Sequence, residues 1–368
     1  MAARGVCGSR DCKGMSQVEE IKLGFLGLGW PGEQHAKAAL SLPGATVHAA
    51  CDLGAERRET FATQFSPAKT YEQYDDMLAD PDVQAVVVSL PNFLHSSATL
   101  AALRAGKHVL CEKPPTMNVP EVEAIRDEAK ARGLTYAFSR QSRFNDKMLA
   151  AKKLVAEGAL GNVYFARAER VRSAGIPVGI GGWFLEKSKA GGGAMIDIGV
   201  HALDAAWYLA GCPHPVSVSG QVSANFRRHV PAGVPCDVED SGFAMIRFEG
   251  GLVMHLEVSW AGNLTDAVPK STWAGHELEN TTLYGDKATL TLNPLTLYKM
   301  QDKERVADTV PTGTATNGFD HQMADFLDAV RTGQPPVNNV DQAVDLMRML
   351  MAIYESSEKG VEISLAAR

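Results

Sequence analysis

Two acid–base side chains stand four residues apart in the segment GGGAMIDIGVHALD. Asp197 and His201 share one face if a helix runs through this segment, and the glycines at 191–193 allow a tight turn into it. An imidazole titrates close to neutral pH, so such a pair suits proton transfer in a pocket. A helix-capping aspartate and a buried structural histidine are the alternative interpretation.

Lys113 is a third candidate for this chemistry. It follows the apolar run HVLC, which is typical of a buried strand, and it precedes Pro114. The residue before a proline is confined to extended backbone and the bond between them can be cis. We therefore expect a cis Lys113–Pro114 peptide that aims the ammonium into a cleft. The alternative is a solvated surface lysine.

The segment GFLGLGWPGEQHAKAAL indicates phosphate binding. Gly27, Gly29 and Gly32 follow a short apolar run, and Pro31 suits the first turn of a helix because the N–H it lacks has no partner there. Backbone without side chains lets a pyrophosphate approach closely, and a helix N-terminus attracts its charge. Trp30 either flanks the ligand or covers the edge of the sheet.

A carboxylate completes this motif. Asp52 ends the next predicted strand, AACD, about 20 residues beyond the glycines, where dinucleotide-binding proteins place an acceptor for the adenosine ribose. Its charge would repel a 2′-phosphate, so we predict NAD as the cofactor and NADP as the less favoured one. Arg57 and Arg58 follow, and binding of a phosphate by either arginine would soften this preference.

The elements that must position these residues alternate along residues 21–141. Five apolar runs (IKLGFLGL, TVHAACD, VQAVVVSL, KHVLCE and LTYAFS) are separated by helical segments. This order predicts an α/β Rossmann domain with a doubly wound parallel sheet. Ligands bind at the carboxyl edge of such a sheet, where we expect Leu90, Pro91, Asn92, His95, Glu112 and Lys113.

Residues 142–368 have a different pattern. Segments such as VYFARAERV, FAMIRF and LVMHLEVSW are β-rich, and turns are predicted at 249–251 and 284–286. They predict an α+β domain built on a large, mostly antiparallel sheet, followed by two amphipathic helices, the second ending at Gly360. Residues 1–20 are expected to be a flexible extension.

Composition narrows the possible functions. At 368 residues, 45% hydrophobic and 21% charged, the chain is long enough for two domains. A net charge of −7 without a basic block argues against nucleic acid, and no apolar run approaches the ~18 residues of a membrane helix. Six cysteines without a C-x-x-C pair indicate reduced thiols, no metal site and a cytoplasmic location.

Together the motifs G-x-G-x-x-G-x-x-H, P-N-x-x-H, AGKHVLCEKP and GGGAMIDIGVHALD resemble the Gfo/Idh/MocA family, from about Ile21 to the end of the chain. The resemblance implies a nicotinamide in a cleft between the two domains. It also implies a homodimer or homotetramer formed through the second sheet. Asp197 matches the family's substrate-binding aspartate, His201 its acid–base histidine and Lys113 the lysine of its E-K-P motif.

The activity implied is oxidation of a secondary hydroxyl of a sugar, sugar derivative or cyclitol. We predict His201 as the base, because an imidazole with a pKa near ~6.5 accepts a proton at neutral pH more readily than a lysine near ~10.4. Lys113 would hydrogen-bond the same oxygen, and Asp197 would orient His201 or hold a neighbouring hydroxyl.

Five further residues are possible substrate contacts: Arg143, Arg170, Arg172, Trp183 and His276. Trp183 with Phe184 forms either an aromatic wall for a sugar ring or ordinary packing. Two other functions stay open. One is a glycoside-cleaving enzyme that works by transient oxidation and elimination. The other is an NAD-binding regulator without turnover, which has no need of the three acid–base residues.

Overall fold

A computed structural model describes residues 19–179, 181–264, 275–313 and 317–365. The predicted flexible extension therefore lies outside the described residues, except for Glu19 and Glu20. Every helix in the described ranges is too short or too polar to cross a lipid bilayer. The four described cysteines, Cys51, Cys111, Cys212 and Cys236, are free thiols.

The first sheet is parallel throughout, with strand order β3-β2-β1-β4-β5-β6. Its strands are β1 (Ile21–Leu26), β2 (Ala45–Cys51), β3 (Lys69–Tyr71), β4 (Ala85–Val88), β5 (His108–Cys111) and β6 (Tyr136–Phe138). Its helices are α1 (Trp30–Leu40), α2 (Ala55–Phe65), α3 (Tyr74–Leu78), α4 (Asn92–Arg104) and α5 (Val119–Arg132). The order reverses between β1 and β4, so the loops after these strands flank the crevice where doubly wound sheets bind ligands. The predicted Rossmann fold is confirmed.

The second sheet has nine strands in the order β14-β13-β12-β11-β7-β10-β9-β8-β15. Their bounds are β7 (Val163–Arg172), β8 (Pro215–Ser223), β9 (Ser241–Phe248), β10 (Val253–Ser259), β11 (Glu277–Gly285), β12 (Ala288–Leu292), β13 (Leu295–Gln301), β14 (Glu304–Thr309) and β15 (Ile363–Ser364). Neighbours are antiparallel except β7 and β10, which run parallel. The large, mostly antiparallel sheet is confirmed, with hairpins at both predicted turns.

Five α-helices lie within residues 142–368 of the described chain: α6 (Asp146–Ala156), α7 (Lys187–Ala190), α8 (Val200–Leu209), α9 (Gly318–Thr332) and α10 (Val340–Lys359). Helix α8 packs on one sheet face, where alternate residues such as Ala168 and Leu256 share a hydrophobic core with its Trp207. The sheet therefore presents α8, with His201 in its first turn, towards the Rossmann domain.

Helix α9 joins the core of the Rossmann domain although it lies in the predicted C-terminal domain. Phe319, Met323 and Phe326 belong to the same buried cluster as Phe25 of β1. The ring of Phe319 also lies 5.0 Å from that of His35 in α1. Helix α9 thus returns the chain from the second sheet to the first domain.

The face of the second sheet opposite α8 carries exposed apolar side chains. Phe243 is 45% and Met245 42% exposed, and the rings of Phe165 and Tyr284 meet at 5.4 Å on the same face. Such a surface suits contact with a second subunit. The homodimer or homotetramer stays a prediction.

A buried charge network joins the end of β6 to α8. Asp204 lies 2.9 Å from Nε of Arg140 and accepts bonds of 2.6 and 3.0 Å from Arg143, and all three side chains are fully buried. Arg143 also donates to the carbonyl oxygen of Val337 and to Gln342. Arg143, predicted to contact substrate, is therefore enclosed in this network and does not reach the cleft.

Replacing Asp204 by alanine should destabilise the fold. The change leaves two buried guanidinium groups without their counter-charge, which costs about 3–5 kcal/mol of unfolding free energy. Urea unfolding at neutral pH measures the loss, and Asp204→Asn, which keeps an acceptor oxygen, should lose less. Equal stability of the alanine variant and the unmodified protein would contradict this account.

Candidate active site

The glycine turn contains two kinds of glycine. Gly27 has φ +85°, and a Cβ there would lie 2.4 Å from the carbonyl oxygen of Ser89. A Cβ at Gly32 would lie 2.3 Å from the carbonyl oxygen of Gly27, so the loop after β4 excludes a side chain at Gly27 and the close approach of α1 to Gly27 excludes one at Gly32. At Gly29 a Cβ would meet only Cδ of Pro31, at 3.9 Å. The protein therefore leaves open space at Gly29. Such space is expected where a pyrophosphate comes close to the backbone.

The N-terminus of α1 is open to an anion. Gly29 is its N-cap and no side chain caps the first turn, so N–H groups at this end are left for a ligand. Asp52 lies beside it, accepting from the N–H of Leu28 at 3.1 Å and of Gly54 at 2.8 Å. A carboxylate has about four acceptor positions, so capacity remains for ribose hydroxyls. These residues fit a dinucleotide.

Arg57 lies 3.5 Å from Asp52 and is mostly exposed. Trp30 is 63% exposed, and its ring meets the edge of Phe319 at 6.0 Å. This places Trp30 against α9 at the entrance of the turn. Its contact with a cofactor stays a prediction, as does that of Arg57.

Glu112 holds the backbone that leads to Lys113. Its carboxylate accepts from Nε2 of the fully buried His35 at 2.8 Å and from the N–H of Lys113 at 3.1 Å. Burial raises the pKa of Glu112, but the bond from His35 and the nearby charges outweigh it and lower the pKa overall. His35 is therefore a packing and hydrogen-bonding residue, and Glu112 is a partly buried anion between α1 and the loop that carries Lys113.

His95 ties the two loops at the carboxyl edge together. Its nitrogens lie 2.7 Å from the carbonyl oxygens of Leu90 and Pro114. Carbonyl oxygens only accept, so both nitrogens donate and the ring is an imidazolium. Burial lowers its pKa, but Cys111 and the two carbonyls raise it to about 9. The predicted residue Leu90 is thus fixed to the loop that carries Lys113.

Pro91 and Asn92 lie at the start of α4, beside this clamp. Pro91 is the N-cap, and the buried side chain of Asn92 donates to the carbonyl oxygen of Ala190 at 2.8 Å. The latter bond crosses from the Rossmann domain to the segment that precedes Asp197. Asn92 therefore helps to dock the two domains.

Lys113 and Asp197 meet in the cleft. The Lys113–Pro114 peptide is cis, as predicted, and Nζ donates to Oδ1 of Asp197 at 3.0 Å and to its carbonyl oxygen at 3.1 Å. Nε1 of Trp260 donates to Oδ2 of Asp197 at 3.0 Å. Burial raises the pKa of Asp197, but Lys113, Arg172 and Trp260 together lower it. Asp197 is therefore a carboxylate with both oxygens occupied.

A buried glutamate holds the segment that carries Asp197. Glu239 accepts from the N–H of Gly193 at 2.8 Å, from the N–H of Met195 at 2.9 Å and from the Tyr354 hydroxyl at 2.8 Å. A Cβ at Gly193 would lie 1.8 Å from the carbonyl oxygen of Glu239, so only glycine fits. Residues Met195–Gly199 form a π-helical turn before α8, a feature frequent at functional sites.

His201 is held by Arg140 rather than by Asp197. An N–H of Arg140 donates to Nδ1 of His201, and another donates to the carbonyl oxygen of His201 at 3.2 Å. No hydrogen bond joins Asp197 to His201, although the two residues are four apart, since Asp197 turns to Lys113 and Trp260. Burial lowers the pKa of His201 well below its usual value, and the surrounding cations lower it further. The imidazole is neutral.

Of the remaining residues predicted to contact substrate, Arg170 and Arg172 lie on β7, and Arg170 lines a cavity together with His201. Arg170 and Arg172 share a face of β7 and donate to Glu277 at 3.1 and 2.9 Å. A cavity of about 160 Å³ opens beside His201, lined by polar groups that include Arg170, Asn145, Glu279 and Thr281.

Trp183 stacks on Phe184 with ring centroids 4.0 Å apart, in a short 3₁₀ helix before α7. Its role as a wall for a sugar ring stays a prediction. His276 lies outside β11, and its N–H donates to Ser173.

Two family models match most of the chain. One, described as the oxidoreductase family with an NAD-binding Rossmann fold, matches residues 21–139, and the other, the GFO/IDH/MocA C-terminal domain, matches residues 148–291. The chain belongs to the Gfo/Idh/MocA family. It is an NAD(P)-dependent oxidoreductase acting on CH–OH groups.

Relatives agree with this family. D-glucoside 3-dehydrogenase of Escherichia coli (strain K12) is 28% identical over 355 residues, covering 94% of this chain and 97% of that protein. The NADP-dependent scyllo-inositol 2-dehydrogenase of Bacillus subtilis (strain 168) is 30% identical over 209 residues, 56% of each chain. Levoglucosan dehydrogenase in complex with NADH and levoglucosan shares the fold, with a TM-score of 0.84 at 23% identity over 94% of this chain and 99% of that one.

Three residues of this Gfo/Idh/MocA site were missed by sequence reasoning: Arg140, Trp260 and Glu239. The position of Arg140 could have identified it, because it follows β6 at the same carboxyl edge of the sheet as Glu112. Trp260 directly follows β10 and Glu239 lies two residues before β9, with no motif to distinguish them.

Replacing Gly29 by valine should weaken NAD binding without unfolding the protein. The side chain enters space that the protein leaves open but that a pyrophosphate needs, so affinity should fall at least ten-fold while the unfolding free energy changes by about 1 kcal/mol or less. Calorimetric titration and thermal melting measure the two effects. Gly32→Val is the matched control. Its side chain would clash with the backbone of Gly27, so this variant should have a lower melting temperature than the unmodified protein. Unchanged affinity in Gly29→Val would refute the assignment of the turn.

Proposed function

We propose that the protein is a dehydrogenase that transfers a hydride between a secondary hydroxyl of a sugar or cyclitol and NAD. The observation that carries this proposal is the contact between Lys113 and Asp197, at 3.0 Å, at the carboxyl edge beside the glycine turn. It puts an ammonium, a carboxylate and the neutral His201 ring around one cleft. The relatives named for D-glucoside and scyllo-inositol dehydrogenation support the substrate class.

The cofactor, when bound, supplies the hydride acceptor. Gly29 and the N-terminus of α1 would hold its pyrophosphate, and Asp52 its adenosine ribose. Lys113 would hydrogen-bond the substrate oxygen that loses its proton and stabilise negative charge that develops there. Asp197 keeps the ammonium in place through two bonds, and Trp260 keeps Asp197 in place.

The charges near the cleft favour a neutral substrate. Recognition of a sugar acid requires a cation available to pair with it. Arg170 and Arg172 instead both bond Glu277, and Arg170 lies 3.6 Å from Glu279. Asn145 and Thr281 add hydrogen-bonding groups to the same cavity. Paired charges together with neutral hydrogen-bonding side chains suit the hydroxyl groups of an uncharged polyol.

Asp52 is the basis for preferring NAD. Its carboxylate stands where the adenosine ribose is expected, and its charge would repel a 2′-phosphate. The exposed Arg57 is the group that could accept such a phosphate, and the Bacillus relative uses NADP. The preference between NAD and NADP therefore depends on whether the bound ribose contacts the Asp52 carboxylate or the Arg57 guanidinium.

Replacing Asp52 by asparagine should shift the preference towards NADP. The loss of charge removes repulsion of the 2′-phosphate and weakens a charge-assisted bond to the ribose, which is worth about 1.5–3 kcal/mol. We expect the ratio of kcat/KM for NAD to that for NADP to fall about 10- to 100-fold. Arg57→Ala in the same assay should move the ratio the other way. An unmodified protein that uses both cofactors equally would contradict the assignment.

The function is tested by screening neutral sugars, cyclitols and glycosides for formation of NADH. We expect turnover on at least one of them, and Lys113→Met should lower kcat by at least ~10³ while NAD affinity stays unchanged. Release of an aglycone without net NADH would replace the dehydrogenase with the glycoside-cleaving enzyme. Binding of NAD without turnover on any of these compounds would refute both.

A further inference from the structure

We propose that Glu239 is a positioning residue for the reaction: it clamps the π-helical turn at Met195–Gly199 in the register that brings Asp197 to Lys113. Glu239 is buried and acts through this turn. The kinetic part of this inference rests on the proposed function. The geometric part does not.

The turn at Met195–Gly199 is one residue wider than an α-helical turn. The N–H of Val200 donates to the carbonyl oxygen of Met195, five residues back. The extra residue rotates the backbone after the turn relative to the backbone before it. Asp197 lies inside this turn and presents both its carboxylate, at 3.0 Å, and its carbonyl oxygen, at 3.1 Å, to Nζ of Lys113. The register of the turn therefore sets where the two residues meet.

The wider turn also accounts for the separation of Asp197 from His201. Residues four apart share one face of an α-helix, which is the basis of the expectation that these two side chains point into one pocket. With the π-helical turn between them, Asp197 bonds Lys113 and Trp260. His201 bonds Arg140 instead. Return of this turn to the commoner α-helical pattern would move Asp197 away from its partners.

Glu239 provides acceptors for three successive N–H groups at the start of this turn. Its carboxylate accepts from Gly193 at 2.8 Å and from Met195 at 2.9 Å, and its own carbonyl oxygen accepts from Ala194 at 3.2 Å. N–H groups at a helix N-terminus have no partner within the helix, and the helix dipole favours a negative charge beside them. Glu239 thus caps the helix from 44 residues beyond Met195 and fixes the position at which the turn begins.

Two glycines and a tyrosine make this clamp possible. A Cβ at Gly193 would lie 1.8 Å from the carbonyl oxygen of Glu239, and a Cβ at Gly192 would lie 2.1 Å from the hydroxyl oxygen of Tyr354. That hydroxyl, on α10, donates to the Glu239 carboxylate at 2.8 Å. Burial raises the pKa of Glu239, and the hydrogen-bond donors around it oppose the shift. The glycines therefore admit Glu239 and Tyr354, besides allowing the tight turn predicted from the sequence.

Nuclear magnetic resonance of the protein with nitrogen-15 in its tryptophans tests the clamp without substrate or cofactor. Nε1 of Trp260 donates to Asp197 at 3.0 Å and reports the position of that carboxylate. Nε1 of Trp207, on α8 after the turn, donates to the carbonyl oxygen of Pro213 at 2.8 Å and is the internal control. In Glu239→Ala we expect the Trp260 signal to shift and its N–H to exchange with solvent at least ~10-fold faster, while the Trp207 signal stays.

The Trp260 signal is assigned by its loss in Trp260→Phe. Glu239→Gln keeps the size of the side chain, so it should shift the same signal by a smaller amount, and the test does not depend on folding of the alanine variant. An unchanged Trp260 signal in both variants would overturn the proposal. Equal changes at Trp260 and Trp207 would overturn it as well, because they would indicate a general loosening of the domain.

Turnover on a substrate found in the screen tests the kinetic part. Glu239→Ala should lower kcat ~10²-fold, as for a reacting group misplaced by about 1 Å, while the affinity for NAD stays unchanged. Glu239→Gln keeps an acceptor oxygen and should recover part of this loss. Tyr354→Phe removes a single donor and should lower kcat about ten-fold or less. Full kcat in Glu239→Ala would contradict the positioning role.

Phe248→Ala is the matched control for stability. It removes a buried ring from the far end of β9, the strand that follows Glu239, and leaves the contacts of the turn in place. We expect it to lower the melting temperature and to keep kcat at temperatures where it is folded. A loss of kcat equal to that of Glu239→Ala would show that Glu239 acts through stability alone and would overturn the proposal. A Trp260 shift in Glu239→Ala without turnover on any substrate would support the clamp and refute only the proposed function.

Discussion

The contact between Lys113 and Asp197 is the interaction on which the active site depends. The two residues are 84 positions apart and belong to different sheets, so their meeting requires the second domain to dock on the carboxyl edge of the first. Asn92 bonds Ala190 across the same junction, and α9 returns to the Rossmann core. The geometry of the candidate site and the docking of the two domains are therefore one property of this fold.

Burial of charge constrains the rest of the site. A charge removed from water is tolerated only with partners, and the junction satisfies this rule by pairing Asp204 with two arginines and Asp197 with Lys113 and Trp260. His201 lies among these cations, and the same electrostatics keep it neutral. The charges that pair across the docked domains thus also lower the pKa of His201.

The cofactor edge follows a different principle, because its recognition groups are mostly backbone. A side chain at Gly27 would clash with the backbone of Ser89 after β4, and one at Gly32 would clash with the backbone of Gly27, whereas at Gly29 the described protein leaves the space that a ligand would need. A charged His95 then holds the loops after β4 and β5 at fixed separation. The hydrogen bonds of His95 and those of Asp52 to Leu28 and Gly54 thus hold the loops around the glycine turn in place.

The sequence by itself determined the Rossmann turn, the alternation of elements, the cis peptide at Lys113 and the antiparallel second sheet, because each depends on residues close together in the chain. It also placed Asp197 and His201 in one segment. Only the tertiary structure decided their partners. Arg140 reaches His201 across 61 positions and Trp260 reaches Asp197 across 63, and no local periodicity encodes such pairs. Arg143 and Arg140 are three residues apart and both pair with Asp204, yet packing turns Arg143 towards Val337 and Gln342 and turns Arg140 towards the imidazole of His201.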